Sequence, residues 1–120
     1  MKKMKVAQIG LIFDPKNRLN IIDLNLPAGT KCLSVSVEKD EDKANKYILW
    51  VTYLSPSDAF NDFKQYTYPW KEFHFSIVKC NCTEIEINEH KYIGDIDIYN
   101  GTDNDTYAVF YEIGATIKRP

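Results

Sequence analysis

Cys80 and Cys82 stand one residue apart. Two thiols at that spacing point the same way from an extended chain and could clip a metal ion. Zinc takes four ligands, and only Cys32, His74 and His90 remain to complete the set, none paired with another ligand along the chain. Cys80-Asn81-Cys82 therefore reads as small residues at a strand end, and no metal or other cofactor is expected. The carboxylates Asp95, Asp97, Asp103 and Asp105 miss the calcium-loop template: counted from Asp95, the sixth position is Asn100, where that loop needs glycine. Asp95 and Asp97 read instead as the wet face of a strand, and Asp103 and Asp105 as turn formers.

Nucleophilic chemistry has little to build on. A Cys–His pair could be drawn from Cys32 or Cys82 with His74, but three cysteines and two histidines permit that in any chain. Gly-x-Ser-x-Gly, a phosphate-binding glycine loop and His-Glu-x-x-His do not occur in the sequence. Glu84 and Glu86 fall on the solvated side of an alternating stretch. Asn-x-Thr triplets begin at Asn81, Asn100 and Asn104, and would matter only in a secreted eukaryotic protein. Catalytic residues are therefore assigned to no position.

The segment with binding character is Gln65-Tyr66-Thr67-Tyr68-Pro69-Trp70-Lys71. It gathers three large rings and a cation in an irregular, proline-containing stretch. Rings on a loop either stack a flat ligand or anchor a protein partner. With His74 on the strand that follows, the candidate ligand or partner site is Tyr66, Tyr68, Trp70, Lys71 and His74. The competing reading folds the rings back as a lid on the core. Trp50 lies in a stretch apolar on both faces and reads as core.

The elements that must position these residues are strands. Leu33, Val35 and Val37 alternate with Ser34, Ser36 and Glu38; Phe73, Phe75 and Ile77 with His74 and Ser76; Ile85 and Ile87 with Glu84, Glu86 and Asn88; Ile96 and Ile98 with Asp95 and Asp97. Tyr47 to Leu54 and Tyr107 to Ile113 are apolar on both faces and read as central strands. Val6 to Phe13 and Leu19 to Leu26 complete about eight. Turns are expected at Pro27-Ala28-Gly29-Thr30, at the charged Lys39 to Lys43, and at Asn100-Gly101. Ser55, Pro56 and Asp58 spell the start of one short helix near residues 56–65, with Phe60 and Phe63 on one face. The fold class is mainly β: an antiparallel β-sandwich or flattened barrel of about eight strands with that single helix.

The chain has 120 residues, which suits one β-rich domain spanning 1–120. Its net charge of −2 supplies no basic field, so nucleic acid is not an expected partner. An odd cysteine count without a framework points to a reducing compartment. The apolar stretch after the basic start is broken by Gln8 and stopped by Asp14, too short for a signal-peptide core, and no apolar run approaches ~18 residues. A cytoplasmic location and no membrane partner are the expectations. Abundant Lys, Asn, Ile, Asp and Tyr with few Arg suggest an AT-rich genome, bacterial or phage.

Leu26-Pro27-Ala28-Gly29-Thr30-Lys31-Cys32-Leu33-Ser34-Val35, then Leu49-Trp50-Val51, Tyr92-Ile93-Gly94 and Val109-Phe110-Tyr111-Glu112, resemble in order a family of small phage-encoded β-proteins of uncharacterised function. The chain departs from that pattern where the helical segment and Tyr68-Pro69-Trp70 replace a glycine-rich element, and where Asp95 replaces a threonine. The resemblance implies a β-fold and a phage or prophage origin, acting in the host cell cytosol; it carries over no catalytic residue. The expected function is a phage accessory binding protein, such as a host-defence inhibitor. It would bind or sequester a small signalling molecule, with nucleotides as one class, or a host protein, and would act as a homo-oligomer. The alternatives are a structural or virion-associated β-module and a small nucleotide hydrolase using His74.

Overall fold

The computed structural model describes residues 2–61, 63–81, 83–100 and 103–117. Among these residues seven strands follow one another: β1 (Met4–Phe13), β2 (Leu19–Pro27), β3 (Lys31–Lys39), β4 (Tyr47–Pro56), β5 (Trp70–Lys79), β6 (Lys91–Asn100) and β7 (Asp103–Ile117). They form two antiparallel sheets, ordered β1-β4-β3 and β2-β5-β7-β6. The fold is the expected β-sandwich. The two stretches apolar on both faces, β4 and β7, each lie inside a sheet. Gly94 of β6 comes so close to Val35 of β3 that a Cβ would sit 3.2 Å from its Cγ2, and there the two sheets meet edge to edge.

The inward residues follow the period of two. Leu11 and Phe13, Leu49, Val51 and Tyr53 face Phe73, Phe75 and Ile77, Ile96 and Ile98, and Tyr107, Val109 and Tyr111. Phe73, Phe75 and Tyr111 stack with ring centroids 5.9 to 6.5 Å apart. Cys32 also faces inward, opposite Tyr53, and burial pushes its thiol up to about 12. It is no thiolate at neutral pH, and His74 lies on the outer face of the other sheet, so a Cys32–His74 dyad does not form. Cys82 lies outside the described residues.

Three local expectations resolve differently. Thr83–Glu89 is not a strand but an irregular strap. It lies against the outer face of the four-stranded sheet, where Ile85 lines clefts shared with Leu19, Ile21 and Ser76 on one side and Val78, Ala108 and Phe110 on the other. An alternating pattern serves a strap as well as a strand, because either buries one side. The helix shrinks to one 3-10 turn, Ser57–Phe60, ended by the extended backbone of Asn61. Ser55 does not cap it; β4 runs on through Pro56, so the Ser55 hydroxyl points inward and meets that of Thr30 at 2.6 Å. Asp103 and Asp105 belong to β7, with Asp103 opposite Asn100; Gly101 and Thr102 lie outside the described residues.

Trp50 is also displaced from the expected core. It is half-buried on the outer face of β1-β4-β3, beside Gly10, and its Nε1 donates to Glu38 at 2.7 Å. Three strands leave one broad face outside the sandwich, and residues of β4 apolar in both registers must put half of themselves there.

Candidate functional site

The expected binding loop is built at one end of the sandwich. Its base is pinned at several points. Ser57 N donates to Lys3 O at 2.9 Å, and Ala28 N donates to Pro69 O at 2.9 Å. The turn Pro27–Thr30 closes through Thr30 N and Pro27 O at 3.1 Å, with Gly29 at φ 87°, the left-handed value that suits glycine in a type II turn. Between these anchors Asn61 organises a second turn. Its Oδ1 accepts from Phe63 N at 2.9 Å and its carbonyl from Gln65 N at 2.8 Å.

The rings of the loop then divide. Tyr68 turns in: its hydroxyl donates to Ala28 O at 3.1 Å, and burial followed by the Asp58 charge pushes its phenol up, so it stays a neutral donor. Trp70 opens β5 opposite Pro27, and Lys71 follows opposite Leu26. Tyr66 turns out, 77% exposed, and Phe63 stands out further at 91%. The Phe60 ring centroid lies 5.2 Å from the Lys5 ammonium. Phe63 is not among the expected site residues; the sequence puts it with Phe60 on one face of a short helix, and the helical turn ends at Phe60, before it.

Beside the loop lies a cleft of about 510 Å3, bounded by Lys2 and Lys3, by Ser57, Asp58 and Asn61, and by Tyr68. Its size falls within the range of small-ligand sites. Asp58 is paired with Lys64 at 3.5 Å, which leaves Lys2 and Lys3 to set the sign of the cleft. These groups can hold an anion and a flat ring; they include no nucleophile–base pair among the described residues.

His74 stands apart from the loop. The pairing of β2 with β5 has no register break, so Lys71 shares a side with Phe73 and Phe75, and His74 takes the other. There its Nδ1 is 2.7 Å from Asp23 Oδ1 and its Nε2 is 3.6 Å from Glu72 Oε2, with Glu112 opposite on β7. His90, at the end of the strap, places its Nε2 3.6 Å from Glu112 Oε2. The hydrogen bond that His74 donates to Asp23 is the main cause that raises the His74 pKa, against some desolvation, with the Asp23, Glu72 and Glu112 charges adding to it. The outer face of this sheet is thus apolar under the strap and charged beyond it. Among the described residues no three His, Cys, Asp or Glu side chains converge as metal ligands would. No helix of the described residues is long and apolar enough to cross a membrane. Comparison with family models, with curated proteins and with solved structures finds no match for this chain.

Proposed function

We propose that the protein works by binding, and that loop 57–69 is its working surface, engaging a partner protein through Phe63 and Tyr66. The observation that carries this reading is their exposure on a loop whose base is held by hydrogen bonds. Leaving two aromatic rings in water forgoes roughly 1.5–3 kcal/mol of burial each. Rings of this kind, held on a pinned loop, are the usual anchors of a protein interface. They project rather than enclose, which suits a pocket on another protein better than a flat small ligand. The phage resemblance makes a host protein of the cytosol the expected partner, and the role that of a host-defence inhibitor. Tyr68, Trp70 and Lys71 serve as the loop's footing.

The cleft behind the loop supports a second reading, in which Lys2 and Lys3 hold a small anionic ligand of the nucleotide class against Tyr68. The two readings separate in one experiment. The tagged protein and its Phe63→Ala/Tyr66→Ala variant are passed through bacterial lysate, captured proteins are identified, and each candidate is re-measured with purified components. Native mass spectrometry on the same preparations reports small ligands. A protein partner lost at least tenfold by the double variant supports the first reading. A small anionic adduct that survives that variant and disappears in Lys2→Ala/Lys3→Ala supports the second. An equally retained partner removes the loop from the argument.

A further inference from the structure

The three-stranded sheet turns an outer face to solvent that no described segment of the chain covers, whereas the strap shields the equivalent apolar area of the other sheet. β1 contributes Val6, Gln8, Gly10 and Ile12 to this face, β4 contributes Ile48, Trp50, Thr52 and Leu54, and β3 contributes Ser34 and Ser36. Val6 is 68% and Ile12 45% exposed, and Leu33, at the β-bulge of β3, is also exposed. Trp50 and Ile48 crowd Gly10, where a Cβ would come 3.2 Å from two indole ring carbons and 3.0 Å from Ile48 Cγ2, so β1 carries no side chain there. We propose that this face packs against the same face of a second copy of the chain.

Charge argues for a copy over a different partner. Apart from the ends of β3, the paired positions on this face carry no charge among the described residues. Lys31 stands at one end, opposite Leu54, and Glu38 at the other, opposite Ile48. A two-fold axis lying between the sheets and across the strands reverses strand direction. It sets Lys31 of one copy over Glu38 of the other, twice. A surface with one cation and one anion at opposite ends is self-complementary under that operation. Glu38 already accepts from Trp50, and a carboxylate has acceptor sites to spare.

Area is sufficient. Three strands of nine or ten residues, at roughly 3.3 Å per residue and 4.8 Å between strands, make a face of roughly 30 by 15 Å in projection. Side-chain relief raises its accessible area towards the roughly 600–1,000 Å2 per partner of a stable pair. Sheet faces pack about 10 Å apart, close enough for Lys31 to reach Glu38.

Sedimentation velocity on the full chain, from about 1 to about 200 μM, brackets dissociation constants in the micromolar range. The wild type should pass from monomer to dimer over that range. Ile12→Lys and Ser36→Lys, both at exposed positions, should each weaken dimerisation at least tenfold while far-UV circular dichroism stays unchanged. Lys31→Glu should weaken it several-fold, and Lys31→Glu/Glu38→Lys should recover most of the loss. A monomer throughout the range overturns the proposal and leaves the face to another protein. A dimer indifferent to both lysine substitutions also overturns it, and moves self-association to the open edge of β1 or β2.

Discussion

His74 Nδ1 and Asp23 Oδ1 lie 2.7 Å apart across the β2–β5 pair, two residues that are 51 positions apart in the chain. The pair is half-exposed, so its contribution to stability is modest, but its pH dependence has a definite sign. The folded pKa of His74 is raised above its ordinary 6.5, chiefly by the hydrogen bond to Asp23. A histidine whose folded pKa exceeds its unfolded one adds stability that is complete below the unfolded pKa. That stability is lost as pH rises through the folded value. The melting temperature of the wild type minus that of Asp23→Asn should therefore be larger at pH 6 than at pH 8. A difference that stays constant over this window would show that Asp23 does not hold the proton on His74.

Thr30 and Ser55 share a buried hydrogen bond at 2.6 Å between the β2–β3 turn and the end of β4. Removing one hydroxyl leaves the other dry and unpaired. Thr30→Val or Ser55→Ala should each cost about 1–3 kcal/mol, and the double substitution should cost clearly less than their sum. Urea denaturation of the four proteins measures this cycle. Strict additivity would show that the hydroxyls are not coupled.

The same serine marks where the sequence stops being legible. Alternation reveals β3, β5 and β6, and apolar character on both faces reveals that β4 and β7 are interior. These are local patterns, each set by one strand's own period. Ser55-Pro56-x-Asp58 has the grammar of a helix start, but Thr30 claims Ser55 from 25 positions away and the strand continues. Ile85 and Ile87 alternate as a strand would, yet a strap over a neighbouring sheet uses the same alternation. Trp50 reads as core because sequence does not tell which of two apolar faces a sheet turns to water. Alternation puts His74 on an outer face together with Glu72, two residues before it on β5; its cross-strand partners Asp23 and Glu112 are not legible, since strand register alone brings them there. Of the loop between the 3-10 turn and β5, the aromatic content is visible in the sequence, while the division into inward Tyr68 and outward Tyr66 and Phe63 depends on Ala28 and Asn61.

Ile85 is the half-buried centre of the strap over Val78, Ala108 and Phe110. Ile85→Ala should remove about 1–2 kcal/mol, below the range for fully buried isoleucine because the site is partly open. Hydrogen exchange should rise across residues 83–90 and in the β5 and β7 amides beneath, with β1 and β4 unchanged. Unchanged exchange in the strap would mean that Ile85 does not secure it.

Tyr68 and Tyr66 sit two residues apart on the loop but should respond oppositely to substitution. Tyr68→Phe deletes the donor to Ala28 O and leaves that carbonyl short of a partner, at a cost of about 0.5–1.5 kcal/mol. Amide exchange in residues 63–68 should quicken with it. Tyr66→Ala and Phe63→Ala remove rings that bury little, so stability should stay within about 0.5 kcal/mol of wild type. Thermal melts of the three variants distinguish footing from working surface. If Phe63→Ala and Tyr66→Ala lower the melting temperature as much as Tyr68→Phe does, those rings pack onto the protein in solution. The loop is then a lid on the sandwich, and binding must be sought in the cleft between Lys2, Lys3 and Tyr68.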